Sequence, residues 1–210
     1  MKIEMGESLV RTWARHCREC QLAELNWKPS PLWTGAVTDE HREWFRAARA
    51  EFPAVVFKKN AGISQFLGQA EIDVLGVHFE QGRAGWILAA DIAFHSEGLR
   101  YGSTDETSAR IIKKLFRSAL VIDRYFPQAA AEICFLSPRV NPGVVPGVVG
   151  AVQTVQAFFG ERRERFRFRA VINDEFGSEV VDRVASLQKQ VADTSELFLR
   201  AAQLIGLCRR

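Results

Sequence analysis

The amino-acid sequence predicts an α/β domain in which a mixed central β-sheet is flanked by helices. Two apolar segments, residues 71–79 (EIDVLGVHF) and 86–94 (WILAADIAF), are separated by a glycine-containing turn and predict a β-hairpin. Neither segment alternates apolar with polar residues, which is typical of strands that are covered on both faces of a sheet. A long helical pattern and another apolar strand pattern follow, and this alternation predicts helices packed on a sheet.

Each element of this fold has a local signal in the sequence. The predicted helices are 5–26, Asp39 to the residue before Pro53, 63–69, Ser103 to about Tyr125, 148–159, and a C-terminal helix from near Asp193 and Thr194. The predicted strands are 54–58, the two hairpin strands, 132–137 and 164–172. Ser103 and Glu106 form a capping-box pattern at the start of the long helix. Pro29 ends the first helical pattern.

The overall composition limits the class of protein. The 210 residues are 47% hydrophobic, so a single domain, 1–210, can bury a substantial core. The net charge is +3 and the sequence pI is about 8.8, which permits an anionic partner without requiring one. The N-terminus lacks a signal-peptide pattern, and the apolar runs are interrupted by Gly and Pro before they reach the length of a membrane span. We therefore expect a cytoplasmic protein with no membrane partner.

Two aspartates, Asp73 and Asp91, interrupt the otherwise apolar hairpin strands. A buried ionised carboxylate needs a cation, hydrogen-bond donors or a proton, because its desolvation costs several kcal/mol. Two such residues on neighbouring strands predict a site for a hard cation, since Mg²⁺ favours one or two carboxylates and keeps several waters. The alternative is structural: one aspartate caps a turn and the other forms an ion pair with an arginine.

The hairpin register decides whether the two aspartates can act together. Facing residues of an antiparallel pair share a face of the sheet, and their residue numbers have a constant sum. A sum of 164 or 166 places Asp73 and Asp91 on one face, whereas a sum of 165 places them on opposite faces. The sequence leaves this register open.

The order of helix, hairpin, long helix and strand over roughly residues 40–140 resembles the PD-(D/E)XK nuclease superfamily. Asp73 in EIDVLG lies where that superfamily has its first metal-binding aspartate, and Asp91 in ADIAFH lies where its second acidic residue belongs. The superfamily's lysine, two residues later, falls on Ala93. The resemblance implies a restriction-endonuclease-like core at 39–140.

The resemblance also divides the rest of the domain. Residues 1–38 would form an N-terminal helix and loop, and residues 141–210 would add a C-terminal strand and helices. Some superfamily members supply the missing basic residue from the helix that follows the hairpin, where Lys113 and Lys114 lie in this chain.

The activity implied by the resemblance is metal-dependent hydrolysis of phosphodiesters in nucleic acid, as in bacterial restriction, repair or defence nucleases. Asp73 and Asp91 would hold Mg²⁺ or Mn²⁺, with Glu71 or Glu97 as an extra ligand, and the metal would lower the pKa of a bound water. Lys113 or Lys114 would position that water or the phosphate.

His95 is a further candidate for the catalytic site. It follows Asp91 by four residues, so in a regular strand it points to the same side and could touch the metal or a phosphate. The alternative is a histidine at a strand end that has a structural role and forms hydrogen bonds.

Basic side chains on two predicted elements suggest a surface for a nucleic-acid backbone. Arginines alternate along the predicted strand 164–172 and would form one face with charges about 7 Å apart; they are Arg163, Arg165, Arg167 and Arg169. On the long helix, Arg110 and Arg117 share a side with Lys113 or Lys114. The alternative is a solvated helix face and a solvated strand whose neighbours supply glutamates.

Three functions remain open from the sequence. The first is a Mg²⁺- or Mn²⁺-dependent nuclease acting on DNA or RNA. The second is a catalytically inactive protein of the same fold that binds nucleic acid or a protein partner, which Ala93 favours. The third is a small-molecule enzyme that uses the acidic pair on phosphates. The apolar terminal helices also leave room for a homodimer contact.

Overall fold

A computed structural model describes residues 5–30, 37–58, 60, 62–191 and 196–208. Within these residues the strands are β1 (Leu22–Trp27), β2 (Ile72–Glu80), β3 (Arg83–Ile92), β4 (Ala130–Ser137) and β5 (Phe166–Ile172). The helices are α1 (Met5–Cys17), α2 (Asp39–Glu51), α3 (Ile63–Gly68), α4 (Thr104–Tyr125), α5 (Val145–Gly160), α6 (Asp174–Phe176), α7 (Arg183–Ser186) and α8 (Leu197–Cys208). The predicted α/β class with a mixed sheet is confirmed.

The strands described by the structure form one sheet in the order β1-β2-β3-β4-β5. β2 runs antiparallel to β1 and β3, whereas β3, β4 and β5 run parallel to one another. The start of β2 therefore lies at the same edge of the sheet as the carboxyl ends of the three parallel strands. Strands from the predicted N-terminal and C-terminal regions join the same sheet as the central hairpin.

The β2–β3 hairpin has an even register over most of its length. Val74 faces Ala90 and Leu75 faces Ala89, so the numbers of facing residues sum to 164. The register shifts only at a bulge between His78 and Phe79, close to the turn. The turn itself is Gln81–Gly82, and both residues have positive φ (49° and 78°), as a two-residue hairpin turn of this hand requires. The register that puts both aspartates on one face is thus present.

The sheet separates two cores. On one side α2, α3, α4 and α5 cover it with a layer rich in phenylalanine, whose largest buried members include Phe66, Phe116 and Phe159. On the other side α1 and α7 pack on the sheet around Trp13 and Leu88. Asp73 and Asp91 share the alternation of Leu75, Ile87 and Ala89, which belong to the first core. Their side chains therefore point towards α4.

The start of α4 is set by the predicted capping box. The Ser103 hydroxyl accepts a hydrogen bond from the backbone N–H of Glu106 (3.2 Å), and the Glu106 carboxylate accepts one from the backbone N–H of Ser103 (3.0 Å). The helix ends at Tyr125, where the sequence places its end. This helix covers the hairpin face that carries the aspartates.

Two predicted elements are wrong in type. The helix predicted for 5–26 ends at Cys17, and β1 begins at Leu22 after Glu19, whose φ is 55°. β1 has buried residues at alternate positions because it pairs with β2, a partner far away in sequence. The predicted strand 54–58 is instead a 3₁₀ turn, Ala54–Phe57, that follows Pro53.

The C-terminal third differs from the prediction in detail. Residues 174–189 are largely helical and include a π-helical segment, Gly177–Asp182, none of which the sequence patterns predict. The last helix begins at Leu197, while Asp193 and Thr194 lie outside the described residues.

By length and composition, the helical stretch Pro142–Gly160 could cross a membrane, although the sequence pattern was expected to be too interrupted for this. In the fold its buried residues, among them Val148 and Phe159, pack in the phenylalanine-rich core between the sheet and α4.

Candidate functional site at the hairpin

The structure brings Asp73 and Asp91 together with one lysine from α4. Lys114 Nζ lies 2.6 Å from Asp91 Oδ1 and 4.0 Å from Asp73 Oδ2. Ser118, one helical turn further along α4, donates its hydroxyl to Asp91 Oδ2 (3.3 Å). The Asp91 side chain is 5% exposed, Asp73 is 18% exposed and Lys114 is 35% exposed. The cluster therefore lies at the rim of the core and reaches solvent on the lysine side.

The secondary structure fixes the positions of these groups. Asp73 is the second residue of β2, and Asp91 is the last but one of β3. The backbone N–H of Ile92 donates to Asp73 Oδ2 across the strand pair (2.7 Å), which ties the carboxylate to the sheet. Lys114 and Ser118 are four residues apart, so they face the same side of α4. A helix and a hairpin thus hold the cluster.

Burial and the neighbouring charges shift the pKa values of both Asp73 and Lys114. Burial and, after it, the nearby Asp91 carboxylate raise the pKa of Asp73 to about 6, although Lys114 and the Ile92 N–H oppose the shift. Burial by itself would lower the pKa of Lys114, but attraction to Asp91 and Asp73 outweighs this and holds it above its usual value. Asp73 therefore gains a proton near neutral pH while Lys114 stays charged.

The donor set fits a two-carboxylate site for a hard cation. Asp73 and Asp91 supply carboxylate oxygens on one face of the sheet, and the partial exposure leaves access for the waters that Mg²⁺ retains. In the described part of the chain no group of three or more His, Cys, Asp or Glu side chains could hold a metal. The fit is therefore to two protein ligands.

The extra metal ligands expected from the resemblance are not brought into this group. Glu71 is exposed, and its Oε2 lies 3.2 Å from Lys28 Nζ. Glu97 is exposed in the loop after β3. In the described residues neither glutamate joins the two aspartates in a group of three, because Glu71 precedes β2 and Glu97 lies five residues beyond the end of β3. A third carboxylate ligand stays a prediction from the resemblance.

The sequence predicts three further catalytic residues: Lys113, Lys114 and His95. Lys113 Nζ donates to the carbonyl of Lys58 (3.4 Å), so of the two adjacent lysines it is Lys114 that reaches the acidic pair. His95 is exposed and lies edge-on to the ring of Tyr101, with 5.6 Å between ring centroids. β3 ends at Ile92, so the strand alternation that would have directed His95 towards Asp91 stops before it.

The alternating arginines do not form the single face that their spacing predicts. Arg163 and Arg165 precede β5 and bind the buried Asp123 of α4, Arg163 through its Nε at 2.7 Å. Arg169 binds Glu175 Oε1 (2.8 Å) and Glu179 Oε2 (2.7 Å). Three of the four arginines thus have carboxylate partners.

The other predicted basic residues have different environments. Arg167 is exposed on β5. Arg117 donates to the carbonyl of Gln69 (2.9 Å) and lies over the ring of Phe66, and burial lowers its pKa. Arg110 is exposed, and its guanidinium lies 4.8 Å from the centre of the Tyr101 ring.

Sequence patterns missed three contributors to these charged clusters. Ser118 binds Asp91, and its four-residue spacing from Lys114 was the available signal. Glu7 of α1 adds a small upward contribution to the pKa of Asp73 and is itself held by Asn26 Nδ2 (2.9 Å). Asp123, next to the apolar stripe of α4, accepts a hydrogen bond from the buried His41 (2.9 Å) and is the centre of a separate ion-pair network.

Comparison of the chain with protein-family models, with curated proteins and with solved structures finds no match. The fold and the site define the class directly: an α/β protein with a mixed sheet, carrying an aspartate–aspartate–lysine cluster where its central hairpin meets its longest described helix.

Proposed function

We propose that the protein hydrolyses phosphodiester bonds of nucleic acid with the help of Mg²⁺ or Mn²⁺. The observation that carries this proposal is the Asp73–Asp91–Lys114 cluster, in which two carboxylates share a face of the sheet and Lys114 Nζ lies 2.6 Å from one and 4.0 Å from the other. Two acidic groups beside one cation are the set that the resembling nuclease superfamily uses.

Lys114 can take the place of the lysine that the superfamily motif contains and this chain lacks. The motif lysine falls on Ala93, which is buried and carries no charge. Lys114 comes from α4 instead, yet its ammonium contacts the same acidic pair. It remains charged at neutral pH, so it can hold a phosphate oxygen or orient the attacking water.

Each residue of the cluster has a role in this reaction. Asp73 and Asp91 would hold the divalent cation, which when bound supplies an acidified water and stabilises negative charge on the phosphate. Lys114 would orient the phosphate. In the reaction water forms a bond to phosphorus, the bond from phosphorus to the leaving sugar oxygen breaks, and that oxygen receives a proton. The products are a phosphomonoester and an alcohol.

A second function, binding of nucleic acid without cleavage, is favoured by one observation. Lys114, Ser118 and the Ile92 N–H already supply partners for both carboxylates without a metal. A cluster satisfied in this way can be purely structural. The same assay separates the two functions.

The test is incubation of the protein with supercoiled plasmid, linear duplex DNA, single-stranded DNA and RNA in the presence of Mg²⁺ or Mn²⁺. We expect Asp73→Asn and Asp91→Asn each to reduce the cleavage rate by at least about a hundredfold, the usual cost of removing a group that stabilises charge in a transition state. The matched control is Glu24→Gln, an exposed acid on β1. Cleavage that persists in both aspartate variants would remove the proposed site. Salt-dependent binding without cleavage would support the second function.

A further inference from the structure

The loop that follows β3 is held firmly against the rest of the fold. Leu99 N–H donates to the Arg139 carbonyl (2.8 Å), and its own carbonyl accepts from Asn141 N–H (3.2 Å). Two residues later, the backbone N–H of Tyr101 donates to the hydroxyl of the buried Thr107 (3.1 Å). These bonds fix Tyr101 beside the first turns of α4.

One side of α4 connects this loop to the acidic pair. Thr107, Arg110, Lys114 and Ser118 are spaced three, four and four residues apart, so they lie along a common side of the helix. Thr107 holds the backbone of Tyr101, Arg110 lies over its ring, and Lys114 and Ser118 contact Asp91. The charges of Lys114, Arg110 and Asp91 all act on the Tyr101 hydroxyl. Tyr101 and Arg110 therefore adjoin the proposed catalytic cluster, one helical turn before Lys114.

Arg110 is free to accept an anion in this position. It is exposed, and among the residues that the structure describes it forms no ion pair, in contrast to Arg163 and Arg169. Packing on an aromatic ring uses the flat face of a guanidinium, while its N–H donors point outward in the plane of the group. Those donors match the oxygens of a phosphate, which a guanidinium can bind with two parallel hydrogen bonds.

We propose that Arg110, positioned by the ring of Tyr101, forms a phosphate-binding site next to the acidic pair, and that it takes a backbone phosphate adjacent to the one that is cleaved. The inference rests on the proposed function for the identity of the anion. Arg110 makes the contact, and Tyr101 is a positioning residue that acts through Arg110. A flexible exposed arginine would lose more side-chain freedom on binding than one already held on a ring.

The test measures binding without cleavage. A short fluorescein-labelled single-stranded DNA and the matching duplex are titrated with the full-length protein in EDTA, and fluorescence anisotropy gives Kd at several salt concentrations. Arg110→Met keeps the apolar stem and should weaken binding about tenfold and reduce the slope of log Kd against log salt by about one. The control is Arg83→Met, an exposed arginine at the opposite end of β3 from Asp91, eight residues or roughly 26 Å away at the usual rise per residue.

Two substitutions test the positioning role of Tyr101. Tyr101→Leu removes the ring and should weaken binding about two- to fivefold, the usual worth of an exposed cation–π contact. Tyr101→Phe keeps the ring and should restore the wild-type Kd and salt slope. A merely structural role for Tyr101 would lower the melting temperature of Tyr101→Leu and leave the Kd of its folded fraction unchanged, and that result would overturn the positioning role.

The outcomes distinguish this inference from the proposed function. If Arg110→Met binds like the wild type with an unchanged salt slope, the phosphate site is refuted, whatever the cleavage assay shows. If Arg110→Met weakens binding while cleavage survives in Asp73→Asn, the phosphate site stands and the proposed catalytic cluster fails. If the wild-type protein binds neither labelled DNA, the phosphate site is refuted.

Discussion

Replacing Asp73 by asparagine should make the metal-free protein more stable at alkaline pH, although it removes a charged group that has an ionic partner. Burial and the neighbouring Asp91 carboxylate raise the pKa of Asp73 from 3.8 to about 6. The ionised side chain is therefore more costly in the fold than in the unfolded chain. Asparagine keeps an oxygen that can accept the hydrogen bond from Ile92 N–H, and it carries no charge.

The magnitude follows from the size of the pKa shift. A change from 3.8 to about 6 corresponds to about 3 kcal/mol at 1.36 kcal/mol per pKa unit. The Asp73 side chain is 18% exposed, so solvent screening leaves most of this energy in place. Because the folded pKa lies above the unfolded value, the wild-type protein gains stability as pH falls through 6 and the gain is complete below 3.8. The Asp73→Asn variant should thus exceed the wild type by about 3 kcal/mol near pH 8 and by about half of that near pH 5.

Urea unfolding followed by tryptophan fluorescence, in EDTA at both pH values, measures this difference. Added Mg²⁺ should then stabilise the wild type more than Asp73→Asn, because a ligand that binds only the folded state shifts the unfolding equilibrium. A variant that is less stable than the wild type at both pH values would refute the reasoning, since it would mean that the fold stabilises the ionised carboxylate.

Two further predictions concern the cations that face buried aspartates. Lys114→Met should raise the affinity of the acidic pair for Mg²⁺ by about tenfold while abolishing the orientation of the phosphate, because the ammonium 2.6 Å from Asp91 competes with the metal for the same oxygens. Calorimetric titration measures the affinity, and an unchanged or weaker affinity would contradict the competition. Asp123→Asn should destabilise the protein by about 2 kcal/mol at neutral pH. Burial alone would raise the pKa of Asp123, but hydrogen bonds from His41 and Arg163 and the charges of Arg163 and Arg165 outweigh burial. Together they lower this pKa to about 2. This loss of stability should be full above pH 3.8 and should shrink as the pH falls towards 2. Equal urea midpoints for the wild type and Asp123→Asn at neutral pH would contradict the prediction.

The parts of the fold that the sequence predicts are those with strong local signals. The capping box of Ser103 and Glu106 marks α4, and the apolar segments around Asp73 and Asp91 mark the hairpin. The choice of an even register was not predictable, because it depends on the two-residue turn and on the bulge between His78 and Phe79. A bulge shifts the pairing by one residue, and sequence patterns do not show where it falls.

The parts that the sequence does not predict depend on distant partners. β1 is a strand because it pairs with β2, some fifty residues later, and its sequence fits a continued amphipathic helix equally well. The arginine row around Arg165 looks like a nucleic-acid surface until Asp123 of α4 and Glu179 of the helical stretch after β5 are placed beside it. An alternating pattern indicates where side chains point in a strand, but not which charges they meet.

Asp73 and Asp123 show why burial of a carboxylate is not by itself a sign of a functional site. Both lie in apolar surroundings, yet Asp123 has a histidine and two arginines that lower its pKa to about 2, whereas the pKa of Asp73 rises to about 6 beside a second carboxylate. A carboxylate whose partners outweigh the cost of burial contributes to stability at neutral pH, and a carboxylate whose partners do not outweigh it reduces stability. Functional sites are where proteins retain the second kind, because a divalent cation can supply the missing positive charge. The opposite signs expected for Asp73→Asn and Asp123→Asn therefore test the assignment of the site separately from any activity.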